Sequence, residues 1–185
     1  MHCRLAWRYE AETHMKNRQS SKVGLSIFNP KADLPIVEKW LKEPHIARWW
    51  GDDPSESIDA IRNHDTSASA LIMVDSTPIG YLCWQIPTAK ELADAGLADL
   101  PSDLIDIDIM IGEPTALGHG YGPKALSQLL SKLGDEGFQI VGIATAESNK
   151  RANKAFEKAG FRLFRAFTES GEKMRYLTRV IHAAA

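Results

Sequence analysis

Apolar and polar positions along the chain fall into short blocks, each with a readable period. Val23, Leu25 and Ile27 alternate with small or polar residues, a strand closed by Asn29-Pro30. Leu34, Val37, Trp40 and Leu41 recur at helical spacing, and Pro44 opens a second, short helix bearing Ile46, Trp49 and Trp50. Gly51-Asp52-Asp53-Pro54 breaks it before a third helix over residues 55–64. Two β-rich runs, 68–74 and 78–86, joined by Asp75-Ser76-Thr77, predict an antiparallel hairpin. Residues 87–103 carry a weak helix at 90–97 between Pro87 and Pro101 and read as an insertion or lid-like loop. The strand over 103–111 sets Ile105, Ile107, Ile109 and Ile111 on one face and Asp106, Asp108 and Met110 on the other. After a glycine-rich turn, Leu126, Leu129, Leu130 and Leu133 mark a helix over 121–135. A buried strand over 140–145, a helix over 149–158 stopped by Gly160, and strands over 161–167 and 174–180 complete the order. Residues 1–22, polar and mixed in charge, read as a loosely held arm. The expectation is a single α/β domain over residues 23–185, a mixed sheet covered on both faces by helices.

Composition changes this picture mainly by exclusion. The 185 residues carry 22 basic and 24 acidic side chains, a formal charge of -2. A chain of that length buries about 70% of its unfolded surface in one core, so it needs neither disulfides nor a structural metal. The near-neutral balance and the lack of a clustered Lys/Arg face argue against nucleic acid as a partner. Cys3 and Cys83 have no zinc or redox spacing and fit reduced thiols in a cytoplasmic protein. No apolar stretch approaches the ~20 residues of a membrane span, and the opening segment lacks the pattern of a secretory signal. His45 and His119 have no second ligand at usable spacing, so no metal is expected.

The sharpest chemical signal is Leu117-Gly118-His119-Gly120-Tyr121-Gly122-Pro123-Lys124, between the isoleucine-rich strand and the leucine-periodic helix. Alternate glycines let the backbone approach a ligand and aim several N–H groups at one point, and the helix adds its positive end. Such a turn suits a phosphate or pyrophosphate, although tight strand-to-helix turns also use glycine for steric reasons alone. The missing Gly-Lys-Ser/Thr ending disfavours a P-loop. A dinucleotide fold is disfavoured because no clean β-α-β unit with a ribose-binding acid follows. Asp108, on the strand just before the turn, is the candidate catalytic residue, with Asp106 on the same face about 7 Å away. A carboxylate beside an ammonium orients it, accepts its proton directly or through one water, and frees the amine to attack. A strand-edge Asp facing solvent is the alternative.

Taken with Glu147-Ser148-Asn149-Lys150-Arg151-Ala152-Asn153-Lys154-Ala155-Phe156-Glu157-Lys158-Ala159-Gly160-Phe161, the turn resembles the GNAT acetyltransferase superfamily over residues 105–162. The resemblance implies a GNAT fold with a mostly antiparallel central sheet, and acetyl-coenzyme A as donor. By matching positions, Gly118 to Pro123 would cradle the pyrophosphate and Ile109, Met110 and Ile111 would pair with the pantetheine. Asn149 and Asn153 would line the coenzyme arm. Two positions depart from the superfamily pattern. Leu117 stands where Gln or Arg is usual, a modest loss because backbone amides do most of the anion binding. Phe156 stands where many members place a Tyr that reprotonates the departing thiolate; a phenyl ring has no proton to give, and Tyr121 is a weak substitute.

The segments Trp40-Leu41 and Pro44-His45-Ile46-Ala47-Arg48-Trp49-Trp50-Gly51, with Pro78-Ile79-Gly80-Tyr81 and Ile107-Asp108, resemble the aminoglycoside 6′-N-acetyltransferase branch. Siderophore-lysine acyltransferases share the Pro-His and Trp-Trp segment. One tryptophan is expected in the core and the other as a flat wall for a sugar ring or cation. Asp52, Asp53 and Glu56, with Asp103 and Asp106, would supply the field a polycation needs, although a solvated loop accounts equally well for the first three. The expected activity is direct transfer of acetyl to a primary amine of a small molecule by a monomer or homodimer, most simply an aminoglycoside 6′-amine. A siderophore hydroxylysine or polyamine acceptor is the rival within the class, and a catalytically silent coenzyme-A sensor the rival outside it.

Overall fold

The computed structural model describes residues 21–51 and 53–182, so the arm, apart from Ser21 and Lys22, and Asp52 lie outside the described residues. Seven strands form one sheet: β1 (Val23–Ile27), β2 (Ser69–Val74), β3 (Thr77–Gln85), β4 (Ile105–Ile111), β5 (Ile140–Ala146), β6 (Arg162–Glu169) and β7 (Glu172–Val180). Their spatial order is β1-β2-β3-β4-β5-β7-β6, and every neighbouring pair is antiparallel except β4 and β5. A parallel pair requires a crossover, and the helix α5 (Tyr121–Asp135) supplies it.

The period-2 alternation of the strands decides what each face buries. Ile72, Leu82, Ile107, Val141 and Leu177 point to a core completed by Ala125, Leu126, Leu129, Leu130 and Leu133 of α5 and by Phe156 of α6 (Lys150–Lys158). Leu71, Tyr81, Cys83 and Met110 point the other way, into a second core with Leu34, Val37, Trp40 and Leu41 of α1 (Pro30–Leu41). Ile46 of α2 (Pro44–Ala47) and Ile61 of α3 (Pro54–Asn63) close that layer. Each of these two longer helices starts on a side-chain cap: Asn29 accepts from Lys31 N–H, and Asp53 from Ser55 N–H at 2.8 Å.

The segment after β3 corrects one expectation. Residues 87–103 are not a lid. The short helix α4 (Ala89–Asp94), held by a Thr88–Glu91 capping box, leads into Leu97, Leu100 and Leu104, which with Leu92 bury themselves against Tyr176 of β7. Asp99 receives a two-pronged bond from Arg165 of β6, at 2.9 and 2.8 Å, and this guanidinium lowers the Asp99 carboxyl below its ordinary range. The leucine spacing was visible in the sequence; the strand it packs against, some eighty residues on, was not.

Candidate active site

The site originates in a gap within the sheet. β4 and β5 pair only at Ile105–Val141 and Asp106–Gly142, and beyond Asp106 they diverge. On its other flank β4 stays paired with β3 through Ile111, and the Gly112 N–H reaches the Ile79 carbonyl at 2.8 Å. Antiparallel pairing alternates its bonded pairs, so this rung fixes the rest: Asp108 and Met110 turn their main-chain groups toward β3, while Ile109 and Ile111 turn theirs into the gap. Met110 is therefore spent on β3 as a main-chain partner, which corrects its expected pairing with pantetheine; only its position beside the groove remains. The Ile111 carbonyl accepts from His45 Nε2 at 3.1 Å, tying α2 to the end of β4.

Past the end of β4, the chain turns through Gly118 and Gly120, with φ of 82° and 77°, into α5. Both angles lie in the left-handed region that glycine alone adopts without strain. Gly120 is the N-cap and offers no side chain, and Pro123 has no N–H. Among the described residues, the N–H groups of His119, Gly120, Tyr121 and Gly122 have no acceptor. Four N–H groups without an acceptor at a positive helix end can serve as a cradle for an anion. The rings of His119 and Tyr121 stack beside it, 5.6 Å between centroids, and Lys124 is exposed on the first turn. From this cradle a groove of about 540 Å³ runs along the gap, past Leu117, Gly122, Ile109 and Ile111 on one side and Asn149, Ala152 and Phe156 on the other. These residues fit a long, amide-bearing chain ending in a pyrophosphate.

A second cavity, about 700 Å³, opens on the α1–α3 side of the sheet. It holds Asp106 and Asp108 from β4, Cys83 from β3, His64 at the end of α3, and Glu169 and Glu172 from the β6–β7 hairpin. Trp49, Trp50, Ile109, Asn149 and Phe156 line both spaces, so the groove and the cavity meet there. Asp108 is open to solvent within this cleft, yet protein surrounds it on most sides. That environment raises its carboxyl above the ordinary value, and a charge on His64 opposes the rise. Asp106 is pushed up to about 6, first by burial and then by the charge of Asp108, while the Tyr176 hydroxyl donates to it at 3.0 Å. Burial, with Asp108 opposite, pushes the Cys83 thiol up to about 12, so it stays protonated and is no nucleophile.

The remaining sequence-predicted residues divide sharply. Trp50 leans edge-on toward Tyr81 with centroids 6.4 Å apart, and Trp49 lies under the Arg48 guanidinium at 4.7 Å, so neither tryptophan is fully buried. Tyr81 is wholly enclosed, with its hydroxyl on Ser69 at 3.3 Å, and is unavailable to a substrate. Asn153 is also a structural residue. Its amide donates to the Ala146 and Asn149 carbonyls at 3.0 and 2.8 Å and its oxygen accepts from Arg175, bracing α6 against β5 and β7. Asn149 caps α6 through Ala152 N–H at 3.1 Å while still lining the cleft. Asp53 is exposed and occupied in capping α3, and Asp52 lies outside the described residues. His64, Cys83, Glu169 and Glu172 were missed. Cys83 was derivable from strand register, whereas the two glutamates read only as a turn. Among the described residues no group of three or more His, Cys, Asp or Glu is placed to hold a metal, and no helix is long and apolar enough to cross a membrane.

Comparison with known proteins gives a consistent answer. The sequence family described as the acetyltransferase (GNAT) domain matches residues 29–168. The solved structure of AAC(6′)-Ib with paromomycin and acetyl-coenzyme A superposes with a TM-score of 0.72 at 23% identity, over 86% of this chain and 93% of that one. AAC(6′)-Ib with coenzyme A and kanamycin gives 0.71 at 22% identity, over 86% and 95%. An aminoglycoside N(6′)-acetyltransferase from Legionella pneumophila gives 0.67 at 19% identity, over 88% and 94%. At these identities the likeness to the solved structures is one of fold.

Proposed function

The chain belongs to the GNAT acetyltransferase family, and from that premise we propose that it moves acetyl from acetyl-coenzyme A to the 6′-amine of an aminoglycoside. The reading is carried by one observation: the groove from the uncapped turn and the carboxylate-lined cleft meet beside Asp108. The N–H groups at 119–122 would hold the pyrophosphate, and Ile109 and Ile111 would hold the pantetheine amides. Acetyl-coenzyme A supplies the activated acetyl group. Asp108 takes a proton from the acceptor ammonium, and the freed amine attacks the acetyl carbonyl without a covalent enzyme intermediate. Main-chain N–H groups in the β4–β5 gap would stabilise the oxyanion. Phe156 has no proton to donate, so water reprotonates the leaving thiolate. Asp106, Asp108, Glu169 and Glu172 suit an acceptor with several ammonium groups, such as the aminoglycosides bound in the neighbouring structures.

Thiol release from acetyl-coenzyme A, measured against 6′-amino sugars, hydroxylysines and linear polyamines, tests the acceptor. Selective turnover of the 6′-amino sugars is expected, and preference for either other class overturns the choice. Asp108→Asn should lower kcat/KM roughly 100-fold or more while leaving coenzyme A affinity intact by calorimetry. An unchanged rate would remove Asp108 from the mechanism.

A further inference from the structure

The last rung before the gap is covered by a side chain that the reaction outlined above does not use. Asp106 pairs with Gly142 across β4 and β5, and the strands part after that pair. The Tyr176 ring of β7 crosses Gly142 to reach Asp106, and its hydroxyl donates to Oδ1 at 3.0 Å. Glycine is what opens that path. A Cβ at position 142 would overlap the Tyr176 hydroxyl and the ring carbon that bears it. Tyr176 itself lines neither the groove nor the second cavity, so it reaches the site only through Asp106.

The ring is held from behind. Tyr176 is buried with Leu92, Leu97, Leu100 and Leu104 of the segment after β3, and the two-pronged Arg165–Asp99 pair fastens that segment to β6. A ring packed into such a cluster keeps one rotamer, so its hydroxyl stays where Asp106 meets it. The bond takes Oδ1 and leaves Oδ2 to the cavity that Asp106 lines. Although pushed up to about 6, the carboxyl is an anion at neutral pH. The segment first read as a lid thus acts from the far side of the sheet edge, by fixing the tyrosine that orients an acid of the cleft.

We propose that Tyr176 is a positioning residue for acceptor recognition: it fixes Asp106 as the anchor for a second ammonium group of the acceptor while the reacting amine lies on Asp108. The two carboxylates leave one strand face two residues apart, so the amines they hold are about 7 Å apart, the span of a single sugar ring. A diamine of that span is gripped at both ends, and a monoamine at one. Tyr176→Phe keeps the packing and removes the donor. The Asp106 carboxylate is then free to turn, and an ammonium that binds it must restore the order Tyr176 had supplied. Recognition of the second amine weakens, while the chemistry at Asp108 does not.

The proposal rests on the acetyl-transfer reading, and its test separates the two. Two 6′-amino sugars are compared, alike except that one carries an amine and the other a hydroxyl across the same ring. In the wild type the KM of the diamine should be roughly tenfold the lower. Tyr176→Phe should narrow that ratio to about threefold or less, with kcat and the coenzyme KM within about twofold of wild type, and Asp106→Asn should erase it. A purely structural loss would weaken both sugars alike. Gly142→Ala, whose Cβ displaces the hydroxyl, should narrow the ratio in the same way, so the result does not hang on one variant folding. A ratio in Tyr176→Phe equal to that of the wild type, or a loss confined to kcat, overturns the proposal. The same pair of sugars is then titrated by calorimetry with coenzyme A bound. No turnover, with a preference for the diamine that narrows in Tyr176→Phe, would reject the transfer reading and keep the anchor. Equal affinities in the wild type would overturn the anchor whether or not acetyl is transferred.

Discussion

Asp106 shows how much one side chain can report about a site. Its ordinary value is 3.8, and in the folded chain burial and the neighbouring Asp108 push it up to about 6. The folded state therefore binds this proton more tightly than the unfolded chain does. The group favours folding below pH ~4, and that advantage is lost as pH rises through about 6. Asp106→Asn keeps an oxygen for the Tyr176 hydroxyl and removes the charge. Scanning calorimetry should show a melting temperature roughly 2–4 °C above wild type at pH 8, the scale of about 1 kcal/mol in a chain of this size. The difference should close by pH 4, and one that stayed constant with pH would show that charge is not the cause. The pairing of Asp106 with Asp108 on one strand face was legible in the sequence, because side chains alternate with period 2. The Tyr176 hydroxyl that meets Asp106 was not, because no local pattern brings β7 to the foot of the gap.

At the level of elements, secondary structure was legible where the signal was itself local. The helix over 121–135, the strand carrying Asp106 and Asp108, and the turn between them all stand where periodicity and glycine spacing put them. Errors arose where a residue's partner was distant. Asn153 and Tyr81 carry family-like motifs, but long-range packing fills their surroundings with protein. The same contrast makes the glycine turn testable. An added Cβ at Gly120 meets nothing within 4 Å, so the cost of Gly120→Ala is purely conformational, about 1 kcal/mol from its φ of 77°. Any relaxation of that angle re-aims the N–H groups that follow. Coenzyme A affinity, measured by calorimetry, should weaken several-fold while the structure melts only slightly earlier. Unchanged affinity would move the anion site away from this turn.

For the whole molecule the decisive property is how charge is distributed between the two spaces. The formal balance of -2 is modest, but the second cavity gathers Asp106, Asp108, Glu169 and Glu172 against Arg48 and His64. A polycation should be drawn in by that field, and salt should screen it. Raising ionic strength from about 0.05 to 0.5 M should lower kcat/KM several-fold for a tetra-amine sugar and much less for a monoamine. Equal loss for both would mean the hairpin acids do no steering. Composition alone could not reveal this polarity, which depends on the β6–β7 hairpin bringing Glu169 and Glu172 to the cavity that holds Asp106 and Asp108.

The two halves of the sheet, β1 to β4 and the group formed by β5, β7 and β6, are stitched to each other by two residue pairs. β4 is thus an interior strand with part of one flank left raw. Any extended ligand with peptide-like groups that lies along it becomes a guest strand, and the sheet is then finished by a piece this polypeptide does not encode.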